Sequence, residues 1–398
     1  MYPRGTLDIG WSDLAYGLVN VFRSETPRPL RGSNWCRDNA LVCLSVRSGL
    51  DLVLQDLDPP QGSEVIMSAI TIPGMERIVR KHGLVPVPVD LDPDALELRQ
   101  EQLEDAVSSR TCAILYAHLF GSRGDLEPVV DCARRHNLFL MEDCAQAYSG
   151  DESPIPPGVD VSLFSFGPTK TATALGGAVL LVRDSGQRQR LEQLQDSYSP
   201  QSHWAFFKRV LKYCFLKILA TPTVFGLFGW LCRLAGTNHD DVIANATRGF
   251  SGKWTIEQFR KQPCAALRLL LGRRLQQSHR SRVEKRVQHA QKIIGKLAED
   301  RFPGTGARDH AHWVLPFASD APEDLVDKLW DHGYDATKKG SSLRVVAPPE
   351  SPDAPPLRNS RELLRQVVYL PMYDDMPENA IQELCDIITE EEMGEGQP

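Results

Sequence analysis

The stretch 138–184, LFLMEDCAQAYSGDESPIPPGVDVSLFSFGPTKTATALGGAVLLVRD, constrains the fold more than any other part of the chain. Its two apolar runs, 138–141 and 161–166, are too short for a helix that buries one face. They have the nearly uninterrupted composition of strands covered on both sides. The first run leads into Glu142-Asp143 and the second contains Ser165. Lys170 follows the turn Gly167-Pro168-Thr169 and sits among small, uncharged residues. An acid at one strand end, a hydroxyl at the next and a lysine just beyond it point to a ligand site at one edge of a sheet.

The flanking sequence extends this pattern. Segments 64–67, 85–89 (VPVPV) and 112–116 (CAILY) read as strands, 126–136 as the helix feeding 138–141, and Gly176-Gly177 opens a further strand through Val182. Apolar strands alternating with helices indicate a mostly parallel sheet in an α/β fold. Residues 40–53 read as a helical approach to Ser45-Val46-Arg47-Ser48-Gly49-Leu50, where small residues let backbone amides approach an anion. From 264 to 297 the pattern is helical. Strands at 308–316, 343–347 and 367–370, with helices at 321–332 and 377–389, form a smaller α+β lobe. The expected division is an arm (1–34), a large domain (35–262), a connecting helix (263–300) and a small C-terminal domain (301–398).

A chain of 398 residues is long enough for two such lobes. Its net charge of −7 gives no reason to expect nucleic-acid binding, and the basic run 273–292 reads as a solvated helix face. Nine cysteines, scattered and without CxxC spacing, indicate reduced thiols rather than a disulfide frame or zinc site. No metal is expected. The segment after Met1 is polar and proline-bearing, so a cytoplasmic protein is expected. One feature runs against this. Segment 214–236 (CFLKILATPTVFGLFGWLCRLAG) is strongly apolar but interrupted by Pro222 and too short to span a bilayer. It is either buried or, together with the basic residues before it, a peripheral membrane contact spanning 207–236.

The site residues fit one cofactor chemistry, that of pyridoxal 5′-phosphate (PLP). This needs a lysine amine, an acid beside the pyridine nitrogen, donors for the phosphate and a cover for the ring. Lys170 is the candidate amine, since an uncharged setting lowers the pKa of its cation. Asp143 is the candidate acid, with Glu142 as its competitor; alternation turns the two in opposite directions. Gln146 is placed to reach the ring oxygen or phosphate, Ser165 and Ser48 to donate to phosphate, and His118 to lie beside the ring.

Taken together, Glu142-Asp143-Cys144-Ala145-Gln146, Ser165 to Lys170, Gly176-Gly177, Ala117-His118-Leu119-Phe120-Gly121 and Val368 to Met376 resemble the DegT/DnrJ/EryC1/StrS sugar aminotransferase family of PLP fold type I. The resemblance implies that Asp143 contacts the pyridine nitrogen, Gln146 assists on the ring face and Ser165 binds phosphate. It implies further that Lys170 forms the Schiff base. The segment holding Arg47, Ser48 and Gly49 resembles the family's phosphate-binding helix start. Ile72 stands at the position of the usual aromatic ring-stacker, and Leu175 replaces an acid common before the glycine pair. The usual partner-subunit loop is blurred into Thr247-Arg248-Gly249-Phe250, with Arg248 the residue that would reach across a homodimer.

The implied reaction moves an amino group from glutamate or glutamine to a keto sugar, nucleotide-linked by resemblance. Another PLP reaction, on an amino acid or lipid-associated ketone, is an alternative. So is a catalytically silent PLP-fold regulatory or scaffold protein. A nicotinamide-binding fold is disfavoured because no GxGxxG turn occurs.

Overall fold

Seven strands build the sheet of the large lobe: β1 (Ala40–Cys43), β2 (Glu64–Ser68), β3 (Val85–Val89), β4 (Thr111–Ala117), β5 (Phe139–Asp143), β6 (Val161–Ser165) and β7 (Ala178–Val182). They lie in the order β1-β7-β6-β5-β4-β2-β3. Strands β6, β5, β4, β2 and β3 are mutually parallel, while β7 runs antiparallel to both its neighbours. The structure, a computed structural model, describes residues 1–23, 30, 35, 37–151, 154–237, 240, 242–243, 254–339, 342–349 and 356–394.

The apolar strands are explained by burial on both faces. In β2, Val65 packs with Leu50, Met75 and Ile78 on one side, while Ile66 packs with Ile114, Leu140 and Val129 on the other. Each face is covered by helices, the arrangement expected of parallel strands joined by crossovers. Residues 40–53 depart from the sequence reading. Leu41, Val42 and Cys43 pair with β7 as a strand, and the helix starts only at Val46. Ser45 sets that boundary, because its hydroxyl accepts from the Ser48 amide at 3.2 Å. Gly49 then allows close contact with the sheet: a Cβ there would lie 2.5 Å from Leu180.

The expected connecting helix is two helices, Ala265–Leu275 and Arg280–Ile294. The break falls where His279 Nε2 meets the Arg274 carbonyl at 2.8 Å. In the small lobe, β8 (Leu315–Ala318) pairs antiparallel with β9 (Val367–Leu370). Both pack against helices Pro322–Asp331 and Glu378–Gly394. Two short pairings tie the lobes together, Arg344–Val345 to Ile70–Thr71 and Asp309–His310 to Ser122–Arg123. At this junction Gly121 has φ +105°, and a Cβ would come within 2.5 Å of the Trp313 amide nitrogen.

The arm wraps the body and contains its own helix, Trp11–Val19. Arg4 pairs with Asp335 and Asp240 at 2.6 Å each. Segment 214–236 falls in two helices, His203–Leu219 and Pro222–Leu234, bent by 95° where Pro222 opens the second. Among the described residues, no single helix is long and apolar enough to cross a membrane. The eight described cysteines are all free.

Candidate active site

The C-terminal ends of the parallel strands converge, as they do in open α/β sheets that bind ligands. Asp143 is the last residue of β5, Ser165 the last of β6, and His118 follows β4 directly. The His118 amide donates to the Asp143 carbonyl at 3.1 Å, locking these two strand ends together.

Alternation separates the adjacent acids as the sequence implied. Glu142 is fully buried, accepts from the Ser162 hydroxyl, and faces His118 Nε2 at 3.2 Å. Burial pushes its carboxyl up, but the His118 and Ser162 contacts and the charge of Arg123 outweigh this and hold it below the usual range. Asp143 is also buried and accepts from the Ala145 amide at 2.9 Å. Its carboxyl is pushed up, chiefly by burial, with the Ala145 bond and the charge of Lys170 opposing. Glu142 is thus spent inside the protein, while Asp143 lies within the electrostatic reach of the lysine.

Burial brings Lys170 down to about 7; nearby Arg47 lowers it further and Asp143 acts in the opposite sense. Its amine is therefore uncharged in a large fraction near neutral pH. Lys170 Nζ lies 3.5 Å from the centroid of the Trp313 ring, and Trp313 Nε1 donates to the Thr169 carbonyl at 2.8 Å. The loop beyond the lysine is held in an uncommon backbone shape, with φ +56° at Ala172 and +63° at Leu175. Its anchors are the Ala172 amide bonded to Asp8 of the arm at 2.8 Å and the Leu175 amide bonded to the Thr173 hydroxyl at 2.9 Å. Asp8 is fixed in turn by Arg274 and Arg282.

The remaining expected residues are divided. Ser165 Oγ and the Lys170 side chain flank one small space at Gly167, where a Cβ would lie 3.6 Å from the first and 3.9 Å from Cγ of the second. Gln146 Oε1 accepts from the Phe120 amide at 2.8 Å, which fixes its orientation beside His118. His118 Nδ1 is buried with no hydrogen-bond partner. Arg47 is half-buried, stacks over Phe259 at 5.1 Å and is lowered to about 10 by desolvation. Ser48 and Gly49 already have structural partners: the Ser48 hydroxyl lies 3.0 Å from Ser45 Oγ, and the Gly49 amide donates to the Ser45 carbonyl. Ile72 is half-buried at the start of helix Pro73–Lys81, packed on the Leu50 cluster. Arg248 lies outside the described residues.

Sequence reading missed Trp313 and Arg286. Both line a cavity of about 220 Å³ that also holds Lys170. Arg286 donates to the Ala311 carbonyl at 3.1 Å and the Thr171 hydroxyl at 3.3 Å, and burial lowers it to about 10. No local pattern signals either residue, since Trp313 reaches Thr169 across 144 positions.

Comparison with known proteins gives this geometry its context. Residues 36–211 fit the profile of the DegT/DnrJ/EryC1/StrS aminotransferase family. That match covers less than half of the chain. The erythromycin biosynthesis sensory transduction protein EryC1 of Saccharopolyspora erythraea is 35% identical over 167 residues, covering 40% of this chain and 46% of that protein. GDP-perosamine synthase of Escherichia coli O157:H7 is 32% identical over 137 residues, covering 34% of this chain and 38% of that protein. The chain therefore spans under half the length of these curated relatives. In structure, the aminotransferase TlmJ from Streptoalloteichus hindustanus superposes with a TM-score of 0.69 at 18% identity over 98% of each chain. NtdA from Bacillus subtilis, solved with bound cofactor PMP, gives 0.66 at 18% identity over 95% of this chain and 82% of that one. The architecture is that of PLP fold type I.

The site fits this cofactor on its own geometry. A buried carboxylate is available for the pyridine nitrogen, and a lysine amine stands within its field. The orphan His118 Nδ1 offers a buried polar atom that no protein group satisfies. Ser165 supplies a hydroxyl near the Lys170 side chain, both close to Gly167.

Proposed function

We propose that the chain is a PLP-dependent aminotransferase that carries an amino group from glutamate or glutamine to a keto sugar held on a nucleotide. One observation carries the reading: the Asp143 carboxyl at the end of β5 and the Lys170 amine in the loop after β6 lie near enough for each to act on the other's charge. When bound, the cofactor supplies an electron-withdrawing ring that acidifies the hydrogen on the amine-bearing carbon. The residues of the chain provide the rest. Asp143, oriented by the Ala145 amide, keeps negative charge beside the ring nitrogen. Lys170, uncharged in part near pH 7, accepts and returns the proton at Nζ. His118, held by Glu142, and Gln146, held by Phe120, line the ring's edge. Ser165 and the Arg47 side of the helix start receive the phosphate. Arg286, half-buried in the same cavity, hydrogen-bonds only to neutral acceptors, so an anionic group on donor or acceptor would find a cation there.

The reading includes a homodimer, with Arg248 contributed across the twofold axis. The relatives favour the amino-sugar assignment, since one bears the name GDP-perosamine synthase and another L-glutamine:2-deoxy-scyllo-inosose aminotransferase. The test is a two-stage assay. Protein loaded with PLP is mixed with glutamate or glutamine, and the cofactor's absorbance should move to that of pyridoxamine phosphate. Addition of a nucleotide-linked keto sugar should restore the first spectrum and yield an amino sugar. Failure of every amino donor to move the spectrum would refute the reading.

A further inference from the structure

The two helices His203–Leu219 and Pro222–Leu234 invert the rule for a helix on a soluble protein. Their inward side is apolar, with Phe206, Val210 and Tyr213 buried in the core. Their outward side is apolar as well. On the first helix Trp204, Leu211, Phe215 and Ile218 recur at the spacing of one helical face. On the second, Leu227, Trp230, Leu231 and Leu234 do the same. All eight are between 46% and 67% exposed. The patch continues onto the arm, where Phe22 meets Trp204 edge-to-face at 5.5 Å. Apolar faces exposed along both helices mark an interaction surface rather than scattered exposure.

Charge selects the partner. From Ser197 to His239 the sequence has no Asp or Glu, although the whole chain carries a net −7. In the same span lie Lys208, Arg209, Lys212, Lys217 and Arg233. Lys208 and Lys212 are exposed on the outward side among the apolar residues. A second copy docked face to face would set lysine against lysine, whereas an anionic surface would neutralise both. Neither helix is long enough to span by itself: 17 and 13 residues make rods of about 26 and 20 Å, set at 95° to one another. Exposed tryptophans beside aliphatic residues suit the boundary between headgroups and acyl chains.

We propose that the outward face of residues 203–234 docks in the plane of an anionic lipid bilayer. The proposal is independent of the reaction assigned above. It has one consequence for the site: Leu216, Leu219 and Phe225 from these helices line the cavity that holds Lys170, so the docking element and the acceptor cavity share a wall.

Vesicle flotation of the full chain loaded with PLP tests this. The protein should float with phosphatidylcholine vesicles that contain phosphatidylglycerol, and at least about tenfold less with phosphatidylcholine alone. The double variant Lys208→Glu/Lys212→Glu should lose roughly tenfold or more of the binding to anionic vesicles. Trp230→Glu/Leu234→Glu should abolish it. Both variants should keep the cofactor absorbance and melting temperature of the parent, which separates lost docking from lost folding. Wild-type protein that stays unbound to anionic vesicles would overturn the proposal. So would variants that change the mass in solution by light scattering while floating as well as the parent, because the face would then join two copies of the chain.

Discussion

The strand-end pocket and the 203–234 helices hold their apolar and polar groups in opposite ways. In the pocket, polar groups are inside and spoken for: Glu142 is gripped by Ser162 and His118, Gln146 by Phe120, and Asp143 by Ala145. On the helices, apolar groups lie outside and are largely exposed among the described residues. Burying a carboxylate costs free energy unless partners offset it, and exposing an aromatic ring forgoes the gain from burial. Departures from the ordinary rule therefore mark both places as functional. On the proposals above, the first would hold a small charged ring and the second would meet a surface.

The largest expected effect breaks the pocket outright. Lys170→Ala should lower amino transfer by on the order of a thousandfold or more, because the group that moves the proton is gone. Steady-state turnover checks this, and cofactor absorbance shows whether binding persists. Next, the two faces of one helix should separate in stability. Phe206→Ala, in the core, should cost about 3–5 kcal/mol. Phe215→Ala, on the outward face, should change urea-unfolding stability by no more than about 0.5 kcal/mol. Equal losses at both would mean that the outward face is covered in the folded protein. Third, Asp143→Asn should reduce turnover by roughly a hundredfold while leaving the fold intact, since its charge and not its shape supports the ring.

The smallest effect concerns pH. PLP uptake needs the uncharged amine, so its rate in the cofactor-free chain should rise with pH through about 7 and then level. Asp143 holds the Lys170 cation in place and Arg47 opposes it. Asp143→Asn should therefore shift the midpoint down, and Arg47→Ala should shift it up. Stopped-flow absorbance gives both midpoints. Identical midpoints in all three proteins would show that these groups do not share one pocket.

Much of the pocket was legible in the sequence because its residues are local. Asp143, Gln146, Ser165 and Lys170 fall within one strand–turn–strand stretch, where apolar runs fix the strands and strand ends fix the polar groups. Strand β1 was misread as helix because Ala40 to Cys43 is apolar enough for either; its pairing with β7 decides, and that partner lies far along the chain. Trp313, Arg286 and Asp8 were missed for the same reason: each reaches the site through lobe packing that no local pattern records. Ser48 and Gly49 show the converse. Small residues at a helix start suit an anion, but they also suit a cap and a close sheet contact, which they make here. The apolar composition of 214–236 was visible too. Its outward orientation was not, since inward and outward stripes have the same periodicity.

The most direct test of the central claim is chemical trapping. The chain is incubated with PLP, reduced with borohydride and digested, and the peptides are mapped by mass spectrometry. The account predicts a phosphopyridoxyl group on Lys170 and on no other lysine. A label elsewhere, or no label on a folded protein, would contradict it.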